Sequence, residues 1–481
     1  MKERLLVSQL RDFIENDNEY SVALVAGIRR TGKTTILKQL QGYYRDAVYI
    51  DLSKTENGQE IIEDLFLDDP SSLLLLDEIS YLEDYEQYTQ MIYNLTAGEY
   101  NRKFKVIVTG SSVAHVAKLR SSKLGGGRAK FFRLPPLMFS EYLLFTGRIS
   151  SYNEYDNVKS EDFADYLFLN GLESNLCIHF TDDYFSTFYD EVSVSNKHSC
   201  LSFSFTDLRE DDLSHLANLL AYKLSEACDY DTTVRPQVGN QEHIHLYNLG
   251  LRIKKNQIDL STSLIADSKA AAPGITISAI GRILHFMLYS GLANIEYLRI
   301  DPAVDVDGVG YVLNILQTCT TENELEDLFR RVSICMTSPL FYTRLGCDIL
   351  SRKNVNPEML KKGMIFGKML ELYVRGALAS WSNNTIFTSH KLNYTDVGEV
   401  DVWDSKHLLL CEISGRNKDA REIHIQDYFK DAPFIRVCTS RDKEYFNKLY
   451  HQIPFAKFCC MIDTGDIFNL EKTVISYVLP K

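Results

Sequence analysis

The residue types and spacing best suited to chemistry lie at 27–34, where the chain reads GIRRTGKT. This string fits the pattern G-x-x-x-x-G-K-[ST], in which the backbone N–H groups of a glycine-containing loop bind phosphate oxygens. It follows an apolar segment, VALVA, and precedes a segment typical of a helix, ILKQLQ. Because the positive end of a helix dipole faces such a loop, the spacing predicts a phosphate-binding loop between a strand and a helix.

Each residue of this loop has its own expected task. Gly27 and Gly32 permit a sharply bent backbone, and Lys33 reaches the β- and γ-phosphates of a nucleotide. The hydroxyl of Thr34 is the expected ligand of Mg²⁺. The alternative, a strand-to-helix turn with an incidental lysine, is disfavoured by the flanking strand and helix. The residues predicted to contact nucleotide are Gly27, Ile28, Arg29, Arg30, Thr31, Gly32, Lys33, Thr34 and Thr35.

A second candidate element is LLLLDE at 73–78, four leucines followed by two acids. Asp77 and Glu78 should emerge at the carboxyl end of a buried strand, where open α/β sheets bind ligands. Asp77 is placed to hold Mg²⁺ through water, and Glu78 to orient or polarise an attacking water. Solvated carboxylates at a strand end are the alternative, which explains one acid better than two beside a phosphate loop.

A third element is VIVTGSS at 106–112, an apolar segment with a polar end. Thr109 or Ser111 is predicted to lie between the two acids and the γ-phosphate as a polar sensor of hydrolysis. The alternative is that these hydroxyls form hydrogen bonds to the backbone of a turn.

A fourth element is KLGGGRAK, in which three glycines precede Arg128. Such a backbone is mobile, so Arg128 is a candidate to contact a γ-phosphate, either its own or that of a neighbouring copy. An exposed loop arginine is the alternative, and the sequence does not choose between them.

The first 150 residues alternate apolar runs with amphipathic segments, which indicates an α/β fold with a parallel sheet. Most of the predicted strands are continuous apolar runs, as expected when helices cover both faces of the sheet. A strand also intervenes between the phosphate-loop strand and the Asp-Glu strand, as in P-loop ATPases with an additional strand and a catalytic glutamate. The five predicted strands are 21–27, 47–53, 72–78, 105–111 and 130–136.

Composition narrows the classes of protein. Apolar residues make up 45% and charged residues 24% of the 481 positions, so the chain is globular, and about three domains are expected. Acidic residues outnumber basic ones by 65 to 52, which gives a net charge of −13 and disfavours a broad nucleic-acid-binding surface.

The spacing of the cysteines and the length of the apolar runs indicate which cellular location and which cofactors to expect. The ten cysteines form no C-x-x-C or Cys/His spacing, which disfavours disulfides and zinc. Apolar runs such as Leu73 to Leu76 are far shorter than the ~18 residues of a membrane span, and Arg11 and Asp12 interrupt the N-terminal segment. A reduced, soluble, cytoplasmic protein without membrane partners is expected.

The combined motifs resemble those of the prokaryotic AAA-type ATP-binding proteins that carry a C-terminal domain of unknown function. The resemblance implies an ATPase core, a helical middle region with a winged-helix-like part, and a C-terminal domain similar to the restriction-endonuclease fold. It also implies ATP as the nucleotide, in agreement with the absence of a guanine-reading N/T-K-x-D motif in the expected place. The matching segments are GIRRTGKTT, LLLLDEISYLEDY, VIVTGSSVA, the Gly-Arg loop ending at Arg128, and LPPLMFSEYL.

The resemblance and the segment pattern together predict three domains. The expected boundaries are 1–145 for the ATPase domain, 146–355 for the middle region and 356–481 for the small C-terminal α/β domain. The winged-helix-like part is expected at about 210–300, where ITISAIGRILHFMLYSG is followed by a short strand. Its few basic groups, Arg282 and His285, favour packing over DNA binding.

The C-terminal domain carries a candidate nuclease site of the PD-(D/E)xK type. Glu371, Asp401 and Glu412 fall at the positions whose carboxylates hold Mg²⁺ in such enzymes. The position of the lysine is occupied by Ser414, so a degenerate site in an inactive, nuclease-like domain is expected.

Three functions follow from these residues. The preferred one is a Mg²⁺-dependent ATPase that acts as a molecular switch on an unidentified protein partner, with self-association if Arg128 acts in trans. The second is an ATP-regulated nuclease or DNA-associated defence factor. The third is a nucleotide-binding interaction protein with little turnover, which Glu78 disfavours.

Overall fold

The computed structural model of the chain shows two large sheets joined through buried helices. The residues that it describes are 2–27, 31–55, 57, 60–62, 64, 73–79, 92, 105–110, 129–172, 242–244, 252–254, 257–259, 276–290, 293–297, 308–329, 332–336, 338–340, 343, 363–381, 388–394, 398–404, 409–414, 434–438, 444–446 and 451–469.

The N-terminal part is a five-stranded, fully parallel sheet with the strand order β2-β3-β4-β1-β5. All five predicted strands are confirmed, each within two residues of the predicted start. The order places β4 between β1 and β3, so the ends of these three strands lie side by side. The elements are α1 (Leu5–Asn16), β1 (Val22–Ala26), α2 (Lys33–Tyr43), β2 (Ala47–Asp51), β3 (Leu73–Asp77), β4 (Lys105–Thr109), β5 (Ala129–Arg133), α3 (Phe139–Thr146) and α4 (Ser160–Leu167).

Burial on both faces explains why these strands are apolar runs. Every residue of β1 and β3 is buried. Alternate residues of a strand point to opposite faces, so Ala23 and Val25 pack with α1 and α2, whereas Val22 and Leu24 belong to the core on the other side. The two helices present to the first face the residues Leu6, Val7, Leu10, Phe13, Ile36, Leu37 and Leu40.

The C-terminal part is built on an eight-stranded mixed sheet of order β10-β9-β11-β12-β13-β14-β16-β15. A separate three-stranded antiparallel sheet holds β6, β7 and β8. The elements are β6 (Glu242–Ile244), β7 (Arg252–Lys254), β8 (Gln257–Asp259), α5 (Ile277–Ser290), β9 (Ala293–Tyr297), α6 (Gly308–Thr318), α7 (Glu322–Phe329), β10 (Val332–Met336), α8 (Gly363–Ser380), β11 (Thr388–Tyr394), β12 (Gly398–Asp404), β13 (Leu409–Ser414), β14 (Phe434–Cys438), β15 (Tyr445–Phe446), β16 (His451–Pro454) and α9 (Phe455–Thr464).

The short strand that follows the predicted helix in ITISAIGRILHFMLYSG belongs to the large sheet. Helix α5 and strand β9 occur where the sequence predicts them, and β9 pairs with β10 and with β11. The eight-stranded sheet therefore takes strands from both sides of residue 356. The winged-helix interpretation of about 210–300 and the three domain boundaries stay predictions.

His285 on α5 behaves as a packing residue. Its side chain is buried, and burial lowers its pKa to about 4. It is therefore uncharged at neutral pH and unsuited to a phosphate contact, as the sequence predicted. Helix α5 lies close to α6 at Gly281, because a methyl group there would lie 2.3 Å from the carbonyl oxygen of Leu316.

Helices α3 and α4 pack against α8 and α9, and we call this contact region the helical junction. Its centre is a cluster of edge-to-face aromatic rings. The ring of Phe163 lies 4.8 Å from that of Phe455, 5.2 Å from that of Tyr373 and 5.3 Å from that of Phe139. Such pairs add about 0.5–1.5 kcal/mol each beyond the burial of their surface. The junction therefore fixes the N-terminal part to the C-terminal part through a continuous core.

A fully buried carboxylate lies inside the helical junction. Asp463 of α9 accepts hydrogen bonds from the backbone N–H and the hydroxyl of Ser140, at 2.9 and 2.7 Å, and from the hydroxyl of Tyr373. Burial raises the pKa of Asp463 to about 7, although the hydrogen bonds from Ser140 and Tyr373 act in the opposite direction. The folded chain therefore retains a proton that the unfolded chain loses near pH 4.

This shift predicts that acidification stabilises the junction. Between about pH 4 and pH 7 the folded state binds more protons at Asp463 than the unfolded state does, so stability falls as the pH rises through this window. In Asp463→Asn the side chain is neutral at every pH, so this contribution disappears. We expect the thermal midpoint of the native chain, measured relative to that of the variant, to fall from pH 4.5 to pH 7.5. A difference that stays constant with pH would contradict the assignment.

Two further findings bear on the class of protein. Within the described ranges, no helix is both long and apolar enough to cross a membrane. Among the described residues, Cys319, Cys411, Cys459 and Cys460 are buried free thiols.

Candidate functional site

The predicted phosphate loop joins β1 to α2, as the sequence requires. Gly32 occupies the position before the helix with a φ of 96°, in the left-handed region that favours glycine. A methyl group on Gly27 would lie 2.7 Å from the carbonyl oxygen of Leu134, so the loop and the segment after β5 are in close backbone contact. Both glycines are therefore required by the geometry, as predicted.

Lys33 lies across this loop. Its side chain is buried, and its ammonium group donates a hydrogen bond of 2.7 Å to the carbonyl oxygen of Gly27. A phosphate group bound by the loop would offer the ammonium an anionic acceptor in place of this neutral carbonyl oxygen. The geometry thus holds the ammonium of Lys33 over the loop between β1 and α2.

The remaining loop residues fall into two groups. Thr31 is buried, Thr34 is half-buried in the first turn of α2, and Thr35 is exposed. Ile28, Arg29 and Arg30 lie outside the described residues.

Asp77, at the end of β3, has both carboxylate oxygens engaged. Oδ1 accepts a hydrogen bond from the hydroxyl of Thr109 on β4, and Oδ2 accepts one of 3.0 Å from the hydroxyl of Tyr49 on β2. Burial, and then the charge of Asp77, raise the pKa of Tyr49, so that hydroxyl keeps its proton and donates it. The two strands that flank β3 therefore orient the Asp77 carboxylate at the carboxyl edge of the sheet, where β4 separates it from the phosphate-loop strand β1.

Glu78 has an unusual backbone conformation. Its φ is 59°, in the left-handed region that non-glycine residues rarely adopt, and its side chain is half-buried. Such conformations cost of order 1–3 kcal/mol and concentrate at functional sites. The strain is an independent reason, beyond its residue type, to consider Glu78 functional.

Of the predicted sensor residues, the structure describes Thr109. It lies next to Asp77, as the hydrogen bond above shows, and is buried. Ser111 and Arg128 lie outside the described residues.

Sequence reasoning missed two residues that shape the site. Tyr49 lies on β2, two residues before Asp51, which is in register with Asp77. The sequence signal that was available is the spacing, because side chains two positions apart on a strand lie on the same face of the sheet. Tyr49 therefore lies on the same face as Asp51, the polar end of its strand.

The second missed residue is Arg4, which precedes α1 and carried no sequence signal. Its guanidinium donates a hydrogen bond of 2.7 Å from Nη1 to the carbonyl oxygen of Thr31 in the phosphate loop. It also donates a hydrogen bond of 2.7 Å from Nε to Glu141 Oε1 and one of 3.0 Å from Nη2 to the carbonyl oxygen of Pro135. Arg4 thus ties the loop to the start of α3.

The predicted C-terminal acids are partly brought together, around an arginine. Arg375 is buried on α8, and its Nη2 lies 3.3 Å from Glu371 Oε2 and 2.9 Å from the carbonyl oxygen of Asp401. The Asp401 carboxylate accepts a hydrogen bond of 2.7 Å from the backbone N–H of Ile413. A guanidinium therefore provides the positive charge next to Glu371.

Glu412 lies on β13, in register with Arg436 on the parallel strand β14, so both side chains project from the same face. Ser414 ends β13, where the sequence predicts it, and the description of the structure covers only its backbone. Within the part of the chain that the structure describes, no group of three or more His, Cys, Asp or Glu side chains is arranged to hold a metal ion.

Comparison with known proteins agrees with the N-terminal geometry. Residues 19–143 match the family model described as an AAA domain. The chain is 26% identical over 219 residues to an uncharacterized protein of Methanocaldococcus jannaschii, with 42% of each chain covered. The chain therefore spans less than half the length of that relative.

Solved structures give low overall scores. A DNA replication initiation factor is 15% identical, with 49% of this chain and 74% of that chain covered and a TM-score of 0.25. AMPPCP-bound DnaA from Aquifex aeolicus is 15% identical, with 48% and 74% covered and a TM-score of 0.25. The ORC2 protein of Aeropyrum pernix is 10% identical, with 73% and 93% covered and a TM-score of 0.23. The family match, the parallel sheet and the phosphate loop make residues 19–143 a P-loop domain of the AAA type.

Proposed function

We propose that the chain binds ATP with Mg²⁺ at the phosphate loop and hydrolyses it, and that the nucleotide state acts as a molecular switch. The observation that carries this proposal is that Lys33 follows β1 and Asp77 ends β3, so both lie at the carboxyl edge of the parallel sheet, on either side of β4. Lys33 is held over the loop by the Gly27 carbonyl, and Asp77 is oriented by Tyr49 and Thr109. A binding site for phosphate and a ligand for its cation are therefore built into one sheet edge.

The residues present fit Mg²⁺ in their chemistry. A carboxylate on Asp77 and a hydroxyl on Thr34 are hard oxygen donors of the kind that Mg²⁺ selects. When bound, the ion neutralises charge that develops on the phosphate oxygens. Thr34 and Asp77 would hold it, while Lys33 and the loop N–H groups bind and orient the phosphates.

Glu78 is the proposed residue that orients the attacking water. It follows Asp77 directly, and its left-handed backbone turns the chain immediately after the strand. Thr109 acts through Asp77, whose carboxylate it positions. We extend the proposal to Ser111 as a polar sensor and to Arg128 as a charge-stabilising residue in cis or in trans. The trans arrangement would require self-association.

The proposed switch acts on the C-terminal part, and through it on a protein partner. The helical junction supports this proposal, because α3 follows the last strand of the AAA domain within a few residues and packs against α8 and α9. A change at the nucleotide site that moves α3 would therefore reach both C-terminal helices. The net charge of −13 favours a protein over DNA as that partner.

The experiment that tests the function is phosphate release from the purified chain with Mg-ATP, with and without DNA. Slow turnover that requires Glu78 and ignores DNA would support a switch with a protein partner. Turnover stimulated by DNA would favour the nuclease or DNA-associated alternative. Absence of both binding and turnover would remove the proposal.

We further infer that the C-terminal part is a nuclease-like scaffold used for contacts. Ser414 replaces the charge-stabilising lysine, and Arg375 pairs with Glu371. Because the guanidinium already balances that carboxylate, the acids are a poor Mg²⁺ site. We expect no Mg²⁺-dependent cleavage of supercoiled or single-stranded DNA by the native chain. Cleavage that Asp401→Ala removes without changing ATP turnover would overturn this inference.

A further inference from the structure

A buried ion pair connects the phosphate loop to the start of α3. Arg4 and Glu141 are paired at 2.7 Å with side chains that are 10% and 2% exposed. Glu141 Oε1 also accepts the backbone N–H of Leu5 at 3.0 Å, and Oε2 accepts that of Met138 at 2.9 Å. Because the same guanidinium donates to the Thr31 carbonyl, one cluster of hydrogen bonds joins the loop, α1 and α3.

The C-terminal part contacts the same turn of α3. The backbone N–H of Phe139 donates a hydrogen bond of 2.8 Å to the hydroxyl of Tyr373, and that hydroxyl donates to Asp463. The backbone N–H of Ser140 donates directly to Asp463. Three consecutive N–H groups at the start of α3 are therefore bound in turn by Glu141, Tyr373 and Asp463. A helix N-terminus favours such anionic and polar acceptors.

We propose that Arg4, Glu141, Tyr373 and Asp463 form a buried relay that couples the phosphate loop to helices α8 and α9. This rests on the proposed function, of which it is the regulatory path. Arg4 and Glu141 are positioning residues, because they act on bound nucleotide through the Thr31 carbonyl. Because the Arg4 guanidinium is buried and held by Glu141, a loop that moved alone would take the Thr31 carbonyl oxygen away and leave Nη1 of Arg4 with an unsatisfied hydrogen-bond donor, which is unfavourable. The loop and the start of α3 must therefore move together.

The structure offers a matched pair of variants for testing the relay. Tyr373→Phe removes a hydroxyl that binds Asp463 on the relay, whereas Tyr155→Phe removes a hydroxyl that binds Asp466 at 2.9 Å, off the relay. Both hydroxyls contact carboxylates in the segment 463–466, at the C-terminal end of α9. A purely structural role predicts similar effects for both variants, and a relay predicts an effect for Tyr373→Phe alone.

The measurements are the Kd for a fluorescent methylanthraniloyl ATP with Mg²⁺ and the hydrogen exchange of residues 455–464 with and without ATP. In the native chain, ATP should change exchange in α9. Tyr373→Phe should remove most of that change and shift the Kd by about 5-fold or more, the lower end of typical coupling between sites. Tyr155→Phe should leave both as in the native chain. Ser140→Ala, which removes a second hydrogen bond to Asp463, provides an independent variant if Tyr373→Phe does not fold.

A double-mutant cycle with Arg4→Gln tests the path itself. If Arg4 and Tyr373 act through one relay, the combined effect on Kd should be clearly smaller than the product of the two separate effects. Nucleotide binding with ATP-independent exchange in α9, or equal effects of Tyr373→Phe and Tyr155→Phe, would overturn the relay and leave the ATPase proposal intact. A native chain that does not bind the fluorescent ATP would overturn both.

Discussion

Replacing Lys33 with alanine is expected to abolish nucleotide-dependent activity. The ammonium is the buried cation over the phosphate loop, so its removal deletes a charge-assisted hydrogen bond to the phosphates. Hydrogen bonds to charged groups contribute about 1.5–3 kcal/mol, which corresponds to about a 10- to 150-fold weaker Kd. Loss of a preorganised donor in the transition state should reduce kcat by about a further 10²- to 10³-fold. Equilibrium binding of a fluorescent ATP and phosphate release measure the two effects separately.

Lys38→Ala is the matched control for Lys33→Ala. Lys38 lies on the same helix, five residues further along, and is exposed. Its removal changes the net charge equally and should leave Kd and kcat within about twofold, since isolated surface charges contribute little. Turnover retained in Lys33→Ala would refute the assignment of the phosphate loop.

Replacing Glu78 with glutamine is expected to separate binding from hydrolysis. Glutamine has the same shape, so the left-handed backbone at this position is strained equally in both forms. The amide lacks the charge that accepts a proton from the attacking water, and general-base catalysis typically contributes about 10²- to 10⁴-fold. We therefore expect a Kd close to that of the native chain and a kcat lower by about that factor. Single-turnover phosphate release measures the chemical step directly.

Asp51→Asn serves as the control carboxylate. Asp51 ends β2 in register with Asp77, and its oxygens are bound by Ser53 and Lys54. Because those local partners already bind it, its neutralisation should change kcat by less than about threefold. Unchanged hydrolysis in Glu78→Gln would remove Glu78 from its proposed role and favour a binding protein with little turnover.

The amino-acid sequence by itself identified the five strands of the N-terminal sheet and the candidate phosphate loop between β1 and α2. Parallel strands covered on both faces must be apolar along their whole length, so SVALVAG and SLLLLDE are recognisable without tertiary information. The phosphate loop is equally local, because Gly27, Gly32 and Lys33 lie within seven residues and their conformations depend on the adjoining strand and helix.

Other features depended on residues far apart in the chain. The strand β9 at 293–297 reads as the end of a winged helix, but its pairing with β11 at 388–394 joins it to the C-terminal sheet. Backbone hydrogen bonding between distant strands leaves no mark in the local sequence. The candidate nuclease acids likewise matched a spacing, and only the structure brought the carbonyl oxygen of Asp401 on β12 to the guanidinium of Arg375 on α8.

The relay likewise joins features that follow from the local sequence to features that depend on distant residues. Local sequence predicts which residues would bind phosphate, since loop geometry, helix dipole and residue type act over a few residues. Only the tertiary structure decided that Arg4, Tyr373 and Asp463 meet at the start of α3. Arg4 is 137 residues from its partner Glu141, and Asp463 is 323 residues from its partner Ser140. The reason is that buried polar groups must find partners wherever the fold brings the chain together, and the sequence records the need for a partner but not its identity.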